Sequence, residues 1–313
     1  MKLGFLYAGQ GSQKVGMGQD LYETYPTFRE VFDNAAPGFD LKAVSFEGPA
    51  ETLTETKYTQ PCMVAFAVGL TKVLAEEGIK PDMAAGLSLG EYSALYAAGV
   101  FKEQQVIDLV AFRGNAMQNA VRGRDCRMIA VLGLERDKVL EGVKKIQDSF
   151  PGLCCETANY NCPGQITVSG DGEAVDAAAE VMKELGAKKV LPVKVSGPFH
   201  TSLMKPAGDQ LRDRFAKEEF GEPAFPVIFN TLGHEKGEET IAELLEKQVQ
   251  TPVYFEDSIR YMAEQGVTLF VEIGPGRALS KFVQKTVDVP VAAVEKAEDI
   301  AALKEMTAAL KMN

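Results

Sequence analysis

The chain has 313 residues, 46% of them apolar, which suits one large core or a main domain carrying a smaller one. A formal net charge of −11 and a pI near 4.9 argue against wholesale binding to nucleic acid or an anionic membrane, so an anionic partner must meet a local basic patch. No apolar run reaches the roughly 18–20 residues of a membrane helix, and five cysteines without a C-x-x-C pair fit reduced thiols in a cytoplasm better than disulfides or a zinc site.

In chain order, "MKLGFLYAGQGSQ" is too short in its apolar run for a signal peptide and reads as a first strand over 3–8. Helix-like periodicity follows at 60–78, a strand at 82–87, and helices at 88–98 and 103–121. Residues 127–195 then change character. "RMIAVLGL" predicts a strand and "ERDKVLEGVKKIQDSF" a helix. "LCCETANY" and "QITVSG" predict two strands joined by "NCPG". "GEAVDAAAEVMKELG" predicts a helix and "KKVLPVKV" a closing strand. This βαββαβ order is the split-βαβ, ferredoxin-like pattern. Helices are expected again at 201–218, 238–249, 255–265 and 276–286, with a strand at 268–273. The reading is an α/β main domain with a parallel sheet, residues 1–123 and 197–313, interrupted by an inserted subdomain at 124–196. "RGRDC" (122–126) and "SGPFH" (196–200) are the expected hinges.

"AAGLSLGEYSAL" (84–95) places Ser88 in G-x-S-x-G between a strand and a helix, the setting of a nucleophile elbow. The alternative is that Ser88 caps the helix, with Glu91 returning a bond to its backbone. A nucleophilic serine needs a base, and only two histidines exist. His234 lies in a charged, glycine-bearing turn and reads as a solvated loop residue. His200 follows the insert's last strand in "VSGPFHTSLM", stiffened by Pro198, and is the candidate base. No carboxylate between Ser88 and His200 is an obvious third member, so either one comes from elsewhere or a backbone carbonyl holds the imidazole. "YAGQGSQ" (7–13) lacks the Lys-Ser/Thr ending of a phosphate loop, and the alternative is an ordinary turn. As an oxyanion site it would pair the N–H of Gln10 with that of Leu89. In "EQQVIDLVAFRGNAMQNAV", Val106, Leu109, Val110, Arg113 and Met117 share one helical face, which puts Arg113 on the apolar side. A buried guanidinium needs a carboxylate, either internal, such as Glu91, or the substrate's own, gripped bidentately; the remaining alternative is a side chain that snorkels outward.

Taken together, "GQGSQ", "GLSLGEYSAL", "FRGNAMQ", "ANYNCPGQ", "SGPFHTSLM", "KQVQTPV" and "EIGPGRALS" resemble, in order and over nearly the whole chain, the malonyl-CoA–acyl carrier protein transacylase family. That family includes the acyltransferase domains of polyketide synthases. The resemblance implies an α/β-hydrolase-like main domain with a ferredoxin-like insert. It implies Ser88 as nucleophile, His200 as base, the Gln10 and Leu89 amides as oxyanion donors and Arg113 as clamp for a malonyl carboxylate. It also implies that the backbone carbonyl of Gln248 orients the histidine. Many members have histidine where this chain has Leu87, and Phe199 before the base is as in relatives that choose malonyl over methylmalonyl units. The implied reaction moves malonyl from malonyl-CoA to the phosphopantetheine thiol of acyl carrier protein in fatty-acid synthesis, with no metal or bound redox cofactor. A polyketide trans-acting acyltransferase is the alternative, and a serine hydrolase or thioesterase a further one. Arg277, Lys281 and Lys285 recur at i, i+4, i+8, and Lys188 and Lys189 adjoin the insert's last strand. These five are the expected patch for an acidic carrier, the alternative being an ordinary solvated face.

Overall fold

Strand β1 (Leu3–Tyr7) buries all five of its residues, as a parallel strand covered on both faces must. Phe5 and Tyr7 join the core on one side, while Leu6 joins a second core on the other. The computed structural model describes residues 1–194 and 197–312. After β1 come α1 (Gln19–Thr24), α2 (Pro26–Asn34), a π-helical turn at Ala43–Glu47, α3 (Ala50–Thr54) and α4 (Thr56–Glu76). Next are β2 (Met83–Gly86), α5 (Gly90–Ala97) and α6 (Glu103–Asn119). The middle of the chain forms β3 (Cys126–Leu132), α7 (Arg136–Ser149), β4 (Cys155–Cys162), β5 (Gln165–Asp171), α8 (Gly172–Glu184) and β6 (Lys189–Pro192). Beyond His200 lie α9 (Lys205–Phe215), β7 (Val227–Ile228), α10 (Ile241–Gln248), β8 (Val253–Tyr254) and α11 (Phe255–Glu264). β9 (Leu269–Ile273), α12 (Ala278–Thr286), β10 (Val291–Val294) and α13 (Ala297–Met312) complete the order.

The first sheet runs β10-β9-β1-β2-β7 with every pair parallel. Residues of α2, α4 and α6 pack with Phe5 and Tyr7 on one face, and residues of α11 and α12 pack with Leu6 and Phe270 on the other. The second sheet runs β6-β3-β5-β4-β8. Its first four strands are antiparallel neighbours, and in their own numbering the order is fourth, first, third, second, as a split βαβ unit requires. Helices α7 and α8 cover one face through Val139, Val143, Val175 and Met182, packed on Val131, Ile166 and Val168. The alternate residues Asn159, Asn161 and Thr167 therefore face the other way, into a cleft.

The expected elements are present with ends shifted by a few residues, and the fold class is α/β as read. Several features go beyond the periodicity reading. Short helices α1 to α3 lie in a segment left unassigned, as do β10 and α13. β7 and β8 have only two residues each, too few for any alternation to register. β8 also adds a parallel edge strand to the second sheet, pairing Asn159 with Val253 and Tyr160 with Tyr254. Val195 and Ser196, the end of the expected closing strand and the start of the second expected hinge, lie outside the described residues. No helix of the described residues is long and apolar enough to cross a membrane.

Candidate active site

The turn after β2 is built by glycine. A Cβ on Gly86 would lie 1.9 Å from the Gly90 carbonyl carbon, and one on Gly90 would lie 2.1 Å from the Tyr7 carbonyl oxygen. Strand and helix can meet this closely only without side chains at both positions. Between them Ser88 adopts φ +52°, a left-handed conformation uncommon for a non-glycine residue. The capping alternative fails, because α5 carries no side-chain cap and the Glu91 carboxylate turns elsewhere, accepting from the Asn230 backbone N–H at 2.6 Å. The Ser88 N–H instead donates to Asn230 Oδ1 at 2.7 Å.

His200 Nε2 lies 2.7 Å from Ser88 Oγ, and its Nδ1 lies 2.8 Å from the backbone oxygen of Gln248. A carbonyl can only accept, so the proton sits on Nδ1 and Nε2 is free to accept from the serine hydroxyl. The third partner is thus a backbone oxygen rather than a carboxylate. His200 also holds a left-handed φ of +62°. Its N–H bond to Val249 O at 3.0 Å and the Thr201 hydroxyl bond to Pro198 O at 2.6 Å keep the loop in shape.

Burial, followed by the nearby Arg113 charge, pushes the His200 imidazole down from 6.5 to about 4. It is therefore neutral at physiological pH. The acid limb of acylation is expected near pH 4, and replacing Arg113 by alanine should raise it by removing an adjacent positive charge. Initial rates of acylation between pH 3.5 and 7 check this; an unchanged limb near 6.5 in the parent contradicts it. Because the folded state favours neutral His200, its contribution to stability is full above 6.5 and is lost as pH falls toward 4.

Arg113 is 1% exposed and sits on α6 beside Val110 and Met117, as its helical position predicts. Its neighbour Gly114 lets α6 approach α4, since a Cβ there would lie 2.8 Å from Thr56 O. Arg113 Nη2 donates to Ser88 Oγ at 3.1 Å and to Gln248 Oε1 at 2.9 Å, and the guanidinium carbon lies 5.4 Å from the centre of the Tyr92 ring. Among the described residues no carboxylate comes within ion-pair distance, and Nε has no partner. Glu91 is the nearest acid to influence it, but burial pushes that carboxyl up to about 8, which leaves it largely protonated at neutral pH. The guanidinium is a buried charge with no ion pair among the described residues.

Ser88, His200, Arg113, Gln10 and Phe199 all line one cleft of about 160 Å³. Gln10 is fixed there through its side-chain bond to Thr56 Oγ1 at 3.0 Å. The Leu89 amide precedes the first turn of α5, where N–H groups have no intrahelical acceptor. The inner cleft adjoins a larger one of about 750 Å³, with which it shares the lining residues Gly9, Gln10, Leu87, Asn161, Thr167 and Val193. Arg277, Lys281 and Lys285 line this outer cleft, whereas Lys188 and Lys189 are exposed but not part of its lining. The helix bearing Lys281 and Lys285, with Arg277 at its N-cap, is anchored by buried Glu272, which accepts from the N–H groups of Leu279 and Ser280 at 3.0 and 2.7 Å. His234 is exposed and remote from the site lining. Asn230, Asn159, Asn161, Thr167 and Gln60 carry no pattern in the sequence that marks a site, yet the fold brings all of them to the elbow or the cleft.

The acyl transferase domain model matches residues 4–310. The chain belongs to the acyl transferase domain family. A malonyl CoA-acyl carrier protein transacylase of Bacillus subtilis is 42% identical over 287 residues, covering 91% of this chain and 90% of its own. The structure of MCAT from Streptococcus pneumoniae superposes with a TM-score of 0.92 at 42% identity, over 97% of this chain and 100% of that one. A malonyl-transacylase solved with its type II polyketide acyl-carrier protein gives a TM-score of 0.93 at 37% identity, covering 98% of this chain and 100% of its own. Within the acyl transferase family, then, this chain keeps a serine–imidazole pair and a buried guanidinium on one cleft, with leucine beside the serine.

Proposed function

We propose that this protein is a malonyl-CoA–acyl carrier protein S-malonyltransferase serving fatty-acid synthesis, in which Ser88, His200 and Arg113 carry the reaction. The observation that carries the reading is the buried, unpaired Arg113 guanidinium 3.1 Å from the serine hydroxyl oxygen. A serine hydrolase has no use for such a charge, whereas an acyl group ending in a carboxylate does.

In the first half-reaction His200 Nε2 takes the proton of Ser88 as Oγ attacks the malonyl thioester carbon. The oxyanion is met by the N–H groups of Gln10 and Leu89. The C–S bond breaks, the imidazolium returns the proton to the departing CoA sulfur, and a malonyl-serine ester remains with its carboxylate on Arg113. In the second half-reaction His200 takes the proton of the phosphopantetheine thiol, the sulfur attacks the ester carbonyl carbon, the C–O bond to Ser88 breaks, and the imidazolium returns the proton to Ser88 Oγ. Phe199, which lines the cleft beside the base, leaves little room for an α-methyl group, a discrimination of about 1–3 kcal/mol. The route uses no metal or redox cofactor. The five free cysteines suit a cytoplasmic setting, and the inserted subdomain proposed at 124–196 lines the cleft through Met128, Asn159, Asn161 and Thr167.

Mass spectrometry of the protein mixed with malonyl-CoA tests the reading. A stable malonyl adduct on Ser88 that leaves only when carrier protein is added is expected. An adduct lost to water at the same rate without carrier would make the protein a hydrolase. The relative bound to a polyketide carrier supports a second reading, a trans-acting acyltransferase for polyketide synthesis, and carriers of both kinds in the discharge step separate the two.

Arg277, Lys281 and Lys285, free of ion pairs among the described residues, are the proposed landing for an acidic carrier. Charge reversal at Lys281 and Lys285 should slow discharge to the carrier roughly tenfold and steepen no salt dependence in acylation by CoA. Equal slowing of both half-reactions contradicts this docking site.

A further inference from the structure

Two side-chain amides grip the peptide groups on either side of Ser88. Gln248 Nε2 donates to the Ser88 carbonyl at 2.9 Å. The N–H of a trans peptide points opposite to its C=O, so this bond also fixes the direction of the Leu89 N–H. On the other side Asn230 Oδ1 accepts from the Ser88 N–H at 2.7 Å, and Asn230 Nδ2 donates to the Gly86 carbonyl at 2.7 Å. Asn230 thereby replaces strand pairing that β7, ending at Ile228, no longer supplies to the end of β2.

Asn230 is itself fully buried and held by its backbone. Its N–H donates to Glu91 Oε2 at 2.6 Å, and its carbonyl accepts from the Tyr254 N–H at 2.8 Å. Glu91 lies in the first turn of α5, the helix that the elbow launches. A closed loop of bonds therefore runs from α5 through Glu91 and Asn230 back to the serine. Neither residue lines the cleft.

We infer that Asn230, anchored by Glu91, is a positioning residue that holds Ser88 in its left-handed conformation and so keeps Oγ within reach of His200. The inference rests on Ser88 being the nucleophile. A serine at positive φ returns to an ordinary basin unless its surroundings fix it. Loss of the Asn230 side chain frees both the Ser88 N–H and the Gly86 carbonyl, and a displacement of Oγ of about 1 Å costs roughly 100-fold in rate.

Rapid-quench acylation by malonyl-CoA tests it. Asn230→Ala should lower the acylation rate constant roughly 100-fold while KM stays within about twofold. Glu91→Gln keeps a carbonyl oxygen for the Asn230 N–H and should stay within about threefold of the parent, whereas Glu91→Ala should fall with Asn230→Ala. Variants that melt at lower temperature yet acylate at the parental rate per folded molecule overturn the proposal, as does Glu91→Gln being as slow as Glu91→Ala. If Asn230→Ala does not fold, amide exchange in the parent decides. A Ser88 N–H protected well beyond exposed loop amides supports the clamp, and an unprotected one overturns it. A parental adduct found away from Ser88 removes the nucleophile assignment and the proposal with it. A normal parental adduct with an unimpaired Asn230→Ala overturns the proposal alone.

Discussion

Arg113→Ala is expected to reduce acylation by malonyl-CoA roughly 10²–10³-fold while leaving acetyl-CoA or propionyl-CoA usable at no less than the parental rate. The guanidinium is buried, its Nε has no partner, and its Nη2 touches only the neutral Gln248 amide and the serine hydroxyl. A malonyl carboxylate brought into this cleft loses its water and regains a charge-assisted, bidentate partner. Removing one side of such a buried pair costs about 2–5 kcal/mol, which sets the size of the expected loss. A neutral acyl group forms no such pair and loses nothing. Steady-state kcat/KM for the three thioesters is the measurement. A parallel fall for all three would make Arg113 a scaffold for the serine rather than the acid-group clamp.

His200→Ala should slow formation of the serine ester by roughly 10³-fold, within the range a well-placed general base contributes. The parental geometry leaves no substitute, since the other hydrogen-bond partner of Ser88 Oγ is the cationic Arg113, which can donate but not accept. The residual rate should rise with pH as hydroxide replaces the imidazole, in contrast to the flat parental profile above its acid limb near 4. Single-turnover acylation across pH 5–9 checks both features. Parental ester formation in the variant would exclude His200 from the chemistry.

The three central strands of the main sheet are legible as short apolar runs, while its edge strands β7 and β10 are not, and the βαββαβ segment is legible because its elements are long enough for period 2 or 3.6 to register. The elbow is legible for a different reason, because only glycine fits at Gly86 and Gly90 and the pattern is therefore forced. Arg113 announces itself as a charge in an apolar stripe. Asn230 gives no such sign. It follows a strand of two residues in a segment rich in turns, and its importance comes from a contact 142 residues away in sequence. Asn159, Asn161 and Thr167 are polar residues alternating with apolar ones on strands, a pattern that ordinarily means a solvated face. Here that face is the cleft wall, which only the packing of the second sheet over the first reveals. The internal acid considered for Arg113 is present as Glu91, but burial keeps it largely protonated and one of its oxygens accepts from the Asn230 N–H.

The weak basicity of the buried imidazole has a bearing on how long the acylated enzyme survives. A pantetheine thiol, with an intrinsic value of roughly 8.5, gives up its proton far more readily than water does, so a base depressed to about 4 favours sulfur as the second nucleophile. The preference is one of degree, because the same imidazole must also draw a proton from the Ser88 hydroxyl, as poor an acid as water.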